Sequence, residues 1–344
     1  MWVWSICLTI GACTDAADKD NVSSDTDTDT LSETDTDANG SDDTDTDTDA
    51  SGDEFAAPSG DPATIDLDGT CELAERWGSF RVEVNDFYSY VDGSVSNGVV
   101  PVTVLRPELE EGDCKLLKRD NPFCDPPCLP GETCDFDGSC ITYPDPQDLG
   151  TVEVAGLVEE VRMDPVQPGW TYFNTTVPHP AWVPGELIEL RTGEGAFAPV
   201  TLHAVSVQPL EIPPDELVVY ADQPLQVRWT PPEGDVRSHV HIKVDIDQHG
   251  LTPVNLFCEF EDDGEAEVPA SLMQELIAFG VSGFPNATIT RRTTDSAPIG
   301  DGCIDFMATS PQTPSVRVDG FTPCNSDNDC PMGQTCNVAI QLCQ

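Results

Sequence analysis

The chain contains 344 residues, of which 63 are Asp or Glu and only 15 are Lys or Arg, and its formal net charge is -48. Proteins that bind nucleic acid neutralise phosphates with basic side chains, so this charge argues strongly against nucleic acid as a partner. It equally disfavours attraction to an anionic membrane surface.

The N-terminal segment, residues 1–12, is apolar and ends in Ile10-Gly11-Ala12, directly before Cys13. A membrane-spanning helix needs about 20 apolar residues, whereas a secretion signal has an apolar core of roughly 7–15. An apolar segment, two small residues, a cysteine and a polar stretch together resemble a bacterial lipoprotein signal. The resemblance implies that Cys13 is lipidated and anchors the protein in the outer membrane or at the cell surface. No Lys or Arg precedes the apolar run, and the alternative is an ordinary signal peptide cut near Ala12.

Residues 13–62 are predicted to form a disordered acidic tether. Residues 14–62 hold 15 Asp and 2 Glu against Lys19 alone, which leaves 16 net negative charges. The Asp/Thr repeats have too few apolar side chains to offset the entropy of ordering, and their like charges extend the chain. Asp35–Gly40 matches the first half of a calcium-binding loop, but Thr46 stands where that loop has its chelating Glu. A solvated stalk is therefore favoured, and a weak calcium site is the alternative.

The remaining residues, 63–344, show the alternation of apolar and polar side chains that is typical of β-strands, interrupted by Pro and Gly. We therefore predict an all-β fold of Ig/fibronectin-like β-sandwich domains with small disulfide-rich modules. The predicted strands are Phe80–Val84, Val100–Leu105, Thr151–Val154, Glu186–Leu190, Val200–Val205, Leu225–Trp229 and His239–Ile246.

Two further local features are predicted in the second half of the chain. A helix is expected after Pro269, because an apolar stripe that includes Leu272 and Leu276 follows and Gly280 ends it. Asp262-Asp263-Gly264 is predicted to be a hairpin turn between the strands on either side of it, because these residues tolerate positive φ.

The folded part is long enough for two domains, which we divide near Pro213-Pro214. Leu225–Pro232, a strand with a Trp followed by a Pro turn, makes the second domain similar to an immunoglobulin or fibronectin sandwich. The predicted parts are a β-rich domain at 63–212 with a Cys-rich insert at about 114–143, a β-sandwich at 213–319, and a Cys-rich module at 320–344.

The 14 Cys of the chain indicate an oxidising compartment, because removal of Cys7 with the signal and Cys13 as the lipid site leaves an even number. Eight of the others fall in two short modules with a shared Pro/Gly-x-x-Cys core: Cys124, Cys128, Cys134 and Cys140, then Cys324, Cys330, Cys336 and Cys343. These modules resemble the Cys-rich repeats of predicted surface lipoproteins from myxobacteria-like bacteria. Zinc is the alternative to disulfides, but only Cys124 and Cys128 have zinc-like spacing, and no His lies close.

Spacing alone does not determine disulfide connectivity. We predict that each module pairs its first Cys with its third and its second with its fourth. The predicted disulfides are Cys124–Cys134, Cys128–Cys140, Cys324–Cys336 and Cys330–Cys343, with Cys71–Cys114 and Cys258–Cys303 by elimination.

Few residues suggest chemistry, since the chain has no serine elbow, zincin helix, phosphate loop or dinucleotide fingerprint. A metal site is suggested only by a cluster on and after one predicted strand: His239, His241, Asp245, Asp247 and His249. Residues two apart share a strand face, so His239 and His241 could offer two nitrogens to one metal. The favoured interpretation is simpler, with the apolar face of this strand inward and its polar face in water.

Four aromatic residues lie in a Pro- and Gly-rich stretch: Trp170, Tyr172, Phe173 and Trp182. They could form a stacking platform for sugars. The favoured interpretation is that they anchor loops on the sheet.

The leading functional hypothesis is a non-enzymatic cell-surface lipoprotein that presents β domains on an acidic stalk, in a structural or binding role. Its partners would be the membrane, through the lipid anchor, and an unknown protein or glycan on a surface; no cofactor is expected. The first alternative is an adhesin that binds a glycan or a calcium-bridged partner. The second is a secreted metal-dependent hydrolase that uses His239 and His241.

Overall fold

The computed structural model describes residues 55–101, 104–119, 124–135, 137–234, 237–246 and 254–344. The predicted signal, Cys13 and the calcium-like stretch lie outside the described residues, as do Asp247 and His249. The described chain consists mainly of strands, with one α-helix, so the predicted all-β class is confirmed.

The strands are numbered in chain order. The first eleven are β1 (Arg76–Val84), β2 (Ser89–Val95), β3 (Leu105–Glu111), β4 (Cys114–Arg119), β5 (Glu132–Cys134), β6 (Cys140–Thr142), β7 (Val152–Ala155), β8 (Val161–Met163), β9 (Tyr172–Asn174), β10 (Leu187–Thr192) and β11 (Thr201–Val205). The others are β12 (Leu217–Val219), β13 (Leu225–Arg228), β14 (His239–Asp245), β15 (Val254–Glu261), β16 (Glu265–Val268), β17 (Asn286–Ile299), β18 (Gly302–Gln312), β19 (Val316–Val318), β20 (Cys336–Asn337) and β21 (Leu342–Cys343). The helix, α1, spans Ala270–Phe279.

A nine-stranded sheet dominates the fold, with the strand order β3-β4-β15-β14-β17-β18-β1-β2-β9. Its strands pair antiparallel except for β1 and β18, which run parallel. A four-stranded sheet, β11-β10-β7-β8, packs against one end of it. The remaining strands form four two-stranded ribbons: β12-β19, β13-β16, β20-β21 and β5-β6.

Two hydrophobic cores bury one face of the nine-stranded sheet, from β4 to β9, and the edge strand β3 contributes to neither of them. The first core lies between β1, β2 and β18 and the four-stranded sheet, and Phe80 and Phe306 are fully buried in it. The second lies between the other end of the sheet and α1, where Ile242 and Leu272 are fully buried. The opposite face carries the polar residues of the alternating strands.

The predicted division near Pro213-Pro214 does not separate two domains. Strand β1 pairs with β18, and β4 pairs with β15, so the large sheet takes strands from both sides of the division. The described chain clusters as one compact unit with both cores. The predicted insert also begins too early, because Cys114–Arg119 is β4 of the main sheet and the small ribbon of the module is formed only by β5 and β6.

The Ig/fibronectin-like part of the prediction is not confirmed. An immunoglobulin-type sandwich is built from two antiparallel sheets. Here the central sheet contains the parallel β1–β18 pair, whose partners Arg76 and Cys303 are far apart in sequence. Such a pairing leaves no local trace in the sequence, which explains why alternation alone did not indicate it.

Several local predictions are confirmed. The helix begins after Pro269 and ends at Gly280, whose φ of 124° is easily reached only without a side chain. Leu272 and Leu276 pack into the second core as predicted. Strands lie at six of the seven predicted positions.

Two local predictions are wrong. Of the predicted strand Val100–Leu105, residues 102 and 103 lie outside the described residues, and among the others only Leu105 is in a strand, as the first residue of β3. The turn at Asp262-Asp263-Gly264 does not close a hairpin, because β15 pairs with β14 and β4 whereas β16 pairs with β13. The turn therefore carries the chain from the large sheet to a separate ribbon.

The described residues contain six disulfides, and the four within the modules are paired as predicted. The other two predicted pairs are wrong: the structure pairs Cys71 with Cys303 and Cys114 with Cys258. The elimination assumed that each pair stays within one domain. Because the two segments share a sheet, β4 lies beside β15, and Cys114 and Cys258 face each other in register.

The last eight residues of the predicted tether, 55–62, are part of the fold. The backbone N–H and the hydroxyl of Ser59 donate to Glu189 Oε2 at 2.7 and 2.8 Å. Arg191 pairs with the other oxygen of Glu189 and donates to two backbone carbonyls of the segment at 2.9 and 3.1 Å. A buried ion pair therefore holds these residues against β10, contrary to the prediction that they belong to a disordered tether.

We expect Glu189→Gln to flatten the acid dependence of stability. Burial opposes ionisation of Glu189, but the hydrogen bonds from Ser59 and the charges of Arg191 and His203 outweigh it, so its pKa is lowered from the ordinary 4.5. A lowered pKa stabilises the fold above the unfolded-state value, and that stabilisation is lost as the pH falls through the folded-state value. The measurement is the free energy of unfolding in denaturant from about pH 7 to about pH 3.

The matched control is Glu186→Gln, whose side chain is exposed just before the same strand. Glu186→Gln should keep the acid dependence of the parent chain. An acid dependence that is the same in the Glu189→Gln variant and the parent would contradict the assigned role.

Candidate functional site

The polar face of the nine-stranded sheet carries a groove of about 1220 Å³. Its floor is formed by side chains of β4, β15, β14 and β17, among them Phe257, His241 and Arg292. One wall is the segment 67–74, which precedes β1, and the other is β3 with the turn that leads into β4. The side chains of a strand alternate between its two faces. On the floor strands, one set of side chains therefore fills the second core and the alternate set lines the groove.

The first wall is fixed to the sheet by a long-range disulfide. Cys71 lies in the first wall, is bonded to Cys303 of β18, and donates its N–H to Asp305 Oδ1 at 2.7 Å. The second long-range disulfide joins Cys114 of β4 to Cys258 of β15, and both cysteines pack in the second core beneath the groove. Of the two disulfides that the sequence did not predict, Cys71–Cys303 therefore holds a wall of the groove, and Cys114–Cys258 joins two strands of its floor.

The groove gathers positive charge in a strongly acidic protein. Five of the 15 Lys and Arg of the chain line it: Arg76, Arg106, Lys115, Arg237 and Arg292. Four carboxylates line it as well: Glu72, Glu110, Asp113 and Glu259. The lining thus holds one more cation than anion, whereas the whole chain has a net charge of -48.

Several of these charges form ion pairs within the groove. Arg292 binds Glu259 through two nitrogens, at 2.6 Å from Nη2 to Oε2 and 3.3 Å from Nε to Oε1. Lys115 Nζ lies 3.8 Å from Glu110 Oε1. Arg76 Nε lies 3.2 Å from the buried Asp305 Oδ2, but the contact lacks hydrogen-bond geometry. Burial raises the pKa of Asp305 against the opposing effect of the Cys71 N–H and of Arg76.

His241 is a neutral imidazole in a positive field. Burial lowers its pKa to about 3, with further lowering by Arg292, Lys243 and Arg76. Its ring lies 5.5 Å from that of Phe257, and Lys243 Nζ lies 5.8 Å from the same ring. Among the described residues, no hydrogen-bond partner faces its ring nitrogens. The side chain is therefore placed to hydrogen-bond to a ligand in the groove.

The predicted pair His239 and His241 does share one face of β14, as alternation indicated. His239 is half exposed and lies 3.7 Å from Glu261 Oε1. Within the described ranges, the clusters with metal-ligand geometry consist of Cys alone, and those Cys are disulfide-bonded. The surrounding Arg and Lys charges also disfavour a cation at His241.

In two other places a serine hydroxyl lies near a histidine imidazole, but neither pair forms a nucleophilic site. Ser59 and His203 both contact Glu189, but the carboxylate lies between them, so the imidazole is not placed to take the hydroxyl proton. Ser89 Oγ lies 2.9 Å from His179 Nδ1, but Ser89 is only 2% exposed. A nucleophile must be reachable by its substrate, so this contact is structural.

Two of the four predicted aromatic residues are loop anchors. Tyr172 and Trp182 are buried; the Tyr172 hydroxyl donates to the Gly150 carbonyl and the Trp182 indole to the Val207 carbonyl. Phe173 is 60% exposed, and its ring lies 6.3 Å from that of Tyr90.

The sequence did not indicate Tyr88 or Tyr90, which form an aromatic cluster with Phe173, in which Tyr90 is half-buried and the other two are exposed. Tyr88 is 55% exposed, and its ring lies 5.9 Å from that of Tyr90. The basic residues of the groove were also missed, because they come from separate strands and loops. The signal that could have found them is scarcity, since each Arg or Lys is unusual in so acidic a chain.

No model of a known protein family matches the chain, and comparison with curated protein sequences also finds no match. Within the described ranges, the chain contains no helix with the length and apolar character needed to cross a membrane.

Proposed function

We propose that this protein is a non-enzymatic binding protein of the cell exterior, anchored by a lipid on Cys13, and that it holds an anionic ligand in the groove. The observation that carries the proposal is the convergence of Arg76, Arg292 and the neutral His241 on one groove. The charges that lower the pKa of His241 are those of Arg292, Lys243 and Arg76, so this side chain lies among cations although the overall charge is strongly negative.

The chemistry of the groove suits a ligand with an apolar body and an anionic group. Its lining includes apolar side chains such as Leu67, Leu105 and Phe257, and ligand sites are mostly apolar with a few placed polar groups. A guanidinium can bind a carboxylate through two hydrogen bonds, which gives both affinity and orientation. His241 adds a neutral donor or acceptor beside these cations.

The proposed location is supported by the six disulfides, which are typical of proteins outside the reducing cytosol. Lipidation at Cys13 and a stalk formed by the acidic tether are part of the same proposal and are supported by the sequence. In this arrangement the tether would present the groove at a distance from the membrane.

An adhesin that binds a glycan is the second candidate, and the aromatic cluster of Tyr88, Tyr90 and Phe173, with two exposed rings, favours it. Aromatic rings stack on the apolar faces of other molecules, and exposed clusters of them often mark interaction sites. The calcium-bridged form of this hypothesis and the metal-dependent hydrolase gain no support from the contacts of His239 and His241.

The binding proposal is tested with a pair of dyes on the full-length protein. Anilinonaphthalene sulfonate has an apolar body with one anionic group, and N-phenylnaphthylamine has the same kind of body without the charge. We expect saturable fluorescence binding of the anionic dye, weakened about tenfold or more in the Arg76→Gln/Arg292→Gln variant, because a hydrogen bond to a charged group contributes about 1.5–3 kcal/mol. Binding of the uncharged dye should not change.

The matched control is Arg228→Gln, an exposed arginine on β13 outside the groove, which should bind both dyes like the parent chain. Equal affinity of the parent chain and the double variant for the anionic dye would overturn the proposal. Melting curves of both variants verify that any loss of binding is not a loss of folding.

A further inference from the structure

The size of the groove exceeds that of a site for one compact small molecule. Its volume is about 1220 Å³, whereas pockets for small ligands span roughly 300–1,000 Å³. It runs across four neighbouring strands between two walls. These dimensions suit a segment of a chain-like ligand.

The polar groups of the groove include both donors and acceptors. Arg76, Arg106 and Arg237 donate hydrogen bonds, whereas Glu72 and Glu110 only accept them. A purely apolar chain with one carboxylate would remove water from these wall carboxylates without donating hydrogen bonds to them, and Glu110 would keep only its ion pair with Lys115; this desolvation is costly. The ligand therefore carries many hydroxyl or amide donors besides its anionic groups.

The floor offers an apolar ring beside these polar walls. Phe257 lies between Lys115 and Lys243 in the strand register, with the His241 ring 5.5 Å away. A sugar ring has an apolar C–H face as well as hydroxyl donors. One sugar unit can therefore pack against the Phe257 ring and donate hydrogen bonds to the wall carboxylates at the same time. A carboxylate on the sugar would pair with the arginines.

The charge of the whole protein limits how densely charged the ligand can be. At a net charge of -48, a polyanion with a charge on every unit is repelled over the distance of a Debye length. The groove itself has an excess of only one cation over its carboxylates. Isolated anionic groups are thus attracted locally, whereas dense polyanions are disfavoured.

We infer that the groove binds a chain of sugars whose carboxylates are widely spaced, that is, a uronate-containing oligosaccharide of intermediate charge density. The inference rests on the proposed function, because it names the class of anionic ligand for the same groove. Arg76 and Arg292 bind the carboxylates, the wall carboxylates accept sugar hydroxyls, and Phe257 contacts a ring face.

The test uses one sugar chain at three charge densities: oligogalacturonate that is fully methyl-esterified, half-esterified, or free of ester. Calorimetric titration of the full-length protein measures each affinity at about 10 mM and about 150 mM salt. We expect the half-esterified chain to bind most tightly at low salt and the fully esterified chain to bind about tenfold or more weakly. The difference in affinity between the half-esterified chain and the ester-free chain should be smaller at about 150 mM salt, because salt screens the repulsion between the ester-free chain and the acidic protein.

Two variants test whether the sugar chain binds in the groove. The affinity for the half-esterified chain should fall about tenfold or more in the Arg76→Gln/Arg292→Gln variant and should not change in the Arg228→Gln variant. The comparison of the three chains on the parent protein needs no variant, so it remains decisive if the double variant does not fold. Equal affinity for all three chains would overturn the inference.

Two other outcomes separate this inference from the proposed function. If none of the sugar chains binds but the anionic dye still binds through Arg76 and Arg292, the sugar assignment fails and the anionic groove stands. The sugar assignment also fails if a synthetic peptide of residues 41–50, rich in Asp and Thr, binds through these arginines and the sugars do not. If neither the dye nor any sugar depends on the arginines, both proposals fail.

Discussion

Replacement of Arg291 by methionine is expected to lower the free energy of unfolding by about 3–5 kcal/mol, because it leaves the carboxylate of Asp262 buried without its cation. Arg291 is 1% exposed and binds Asp262 through two nitrogens, at 2.6 and 3.0 Å. The indole of Trp229 and the hydroxyl of Ser238 donate to the same carboxylate at 2.8 and 2.5 Å. Denaturant unfolding followed by tryptophan fluorescence measures the loss.

The expected loss is large because this network also holds elements of different sheets. Asp262 belongs to the turn between β15 and β16, and Arg291 lies on β17. Arg291 further donates to the carbonyls of Thr230 and Pro209 at 2.7 and 3.0 Å. Its removal would therefore leave several buried acceptors without donors, each of which is costly.

The matched control is Arg228→Met, the same substitution at an exposed position of β13, which should change stability by no more than about 0.5 kcal/mol. A second variant, Arg291→Met/Asp262→Leu, removes both charges and should be less destabilised than Arg291→Met alone. If Arg291→Met costs as little as the control, the buried pair does not stabilise the fold as argued.

Removal of the Cys71–Cys303 disulfide by the double substitution Cys71→Ser/Cys303→Ser is expected to lower stability by about 5 kcal/mol and to weaken ligand binding in the groove. The two cysteines are 232 residues apart, and in the chain-entropy description a crosslink over so long a loop restricts the unfolded chain strongly. The disulfide also holds the wall at residues 67–74. Unfolding in denaturant gives the stability, and titration with the anionic dye gives the affinity.

The matched control is Cys124→Ser/Cys134→Ser, which removes a disulfide over a separation of 10 residues within one small module. Its effect should stay local, with a chain-entropy contribution of about 3 kcal/mol at most and no change in dye affinity. Dye affinity that is unchanged by the loss of Cys71–Cys303 would show that this disulfide does not shape the groove.

Features that depend on a few neighbouring residues could be predicted from the chain alone. The helix after Pro269 follows from an apolar stripe and a terminal glycine, and both act within about ten residues. The disulfides of the two modules join cysteines at most 13 residues apart, so their pairing needs no knowledge of the wider fold. The alternation of His239–Ile246 likewise determines which face of the strand is polar.

Features that depend on distant residues could not be predicted in the same way. The parallel pairing of β1 with β18, and the pairing of β4 with β15, bring together segments more than a hundred residues apart. Without these pairings, the folded part is divided wrongly into two domains. Cys71 and Cys114 are then also assigned the wrong disulfide partners. The groove has the same origin, because its floor and walls come from segments spread from residue 67 to residue 294.

The amino-acid order alone was sufficient for the β class, the acidic charge, the local disulfides and the apolar segment before Cys13, since each depends on composition or on spacing within a short window. Only the three-dimensional arrangement of the strands placed Arg76, His241 and Arg292 around one groove. The physical reason is that strand pairing is chosen by the burial of side chains from the entire chain, and no short stretch of sequence carries that information.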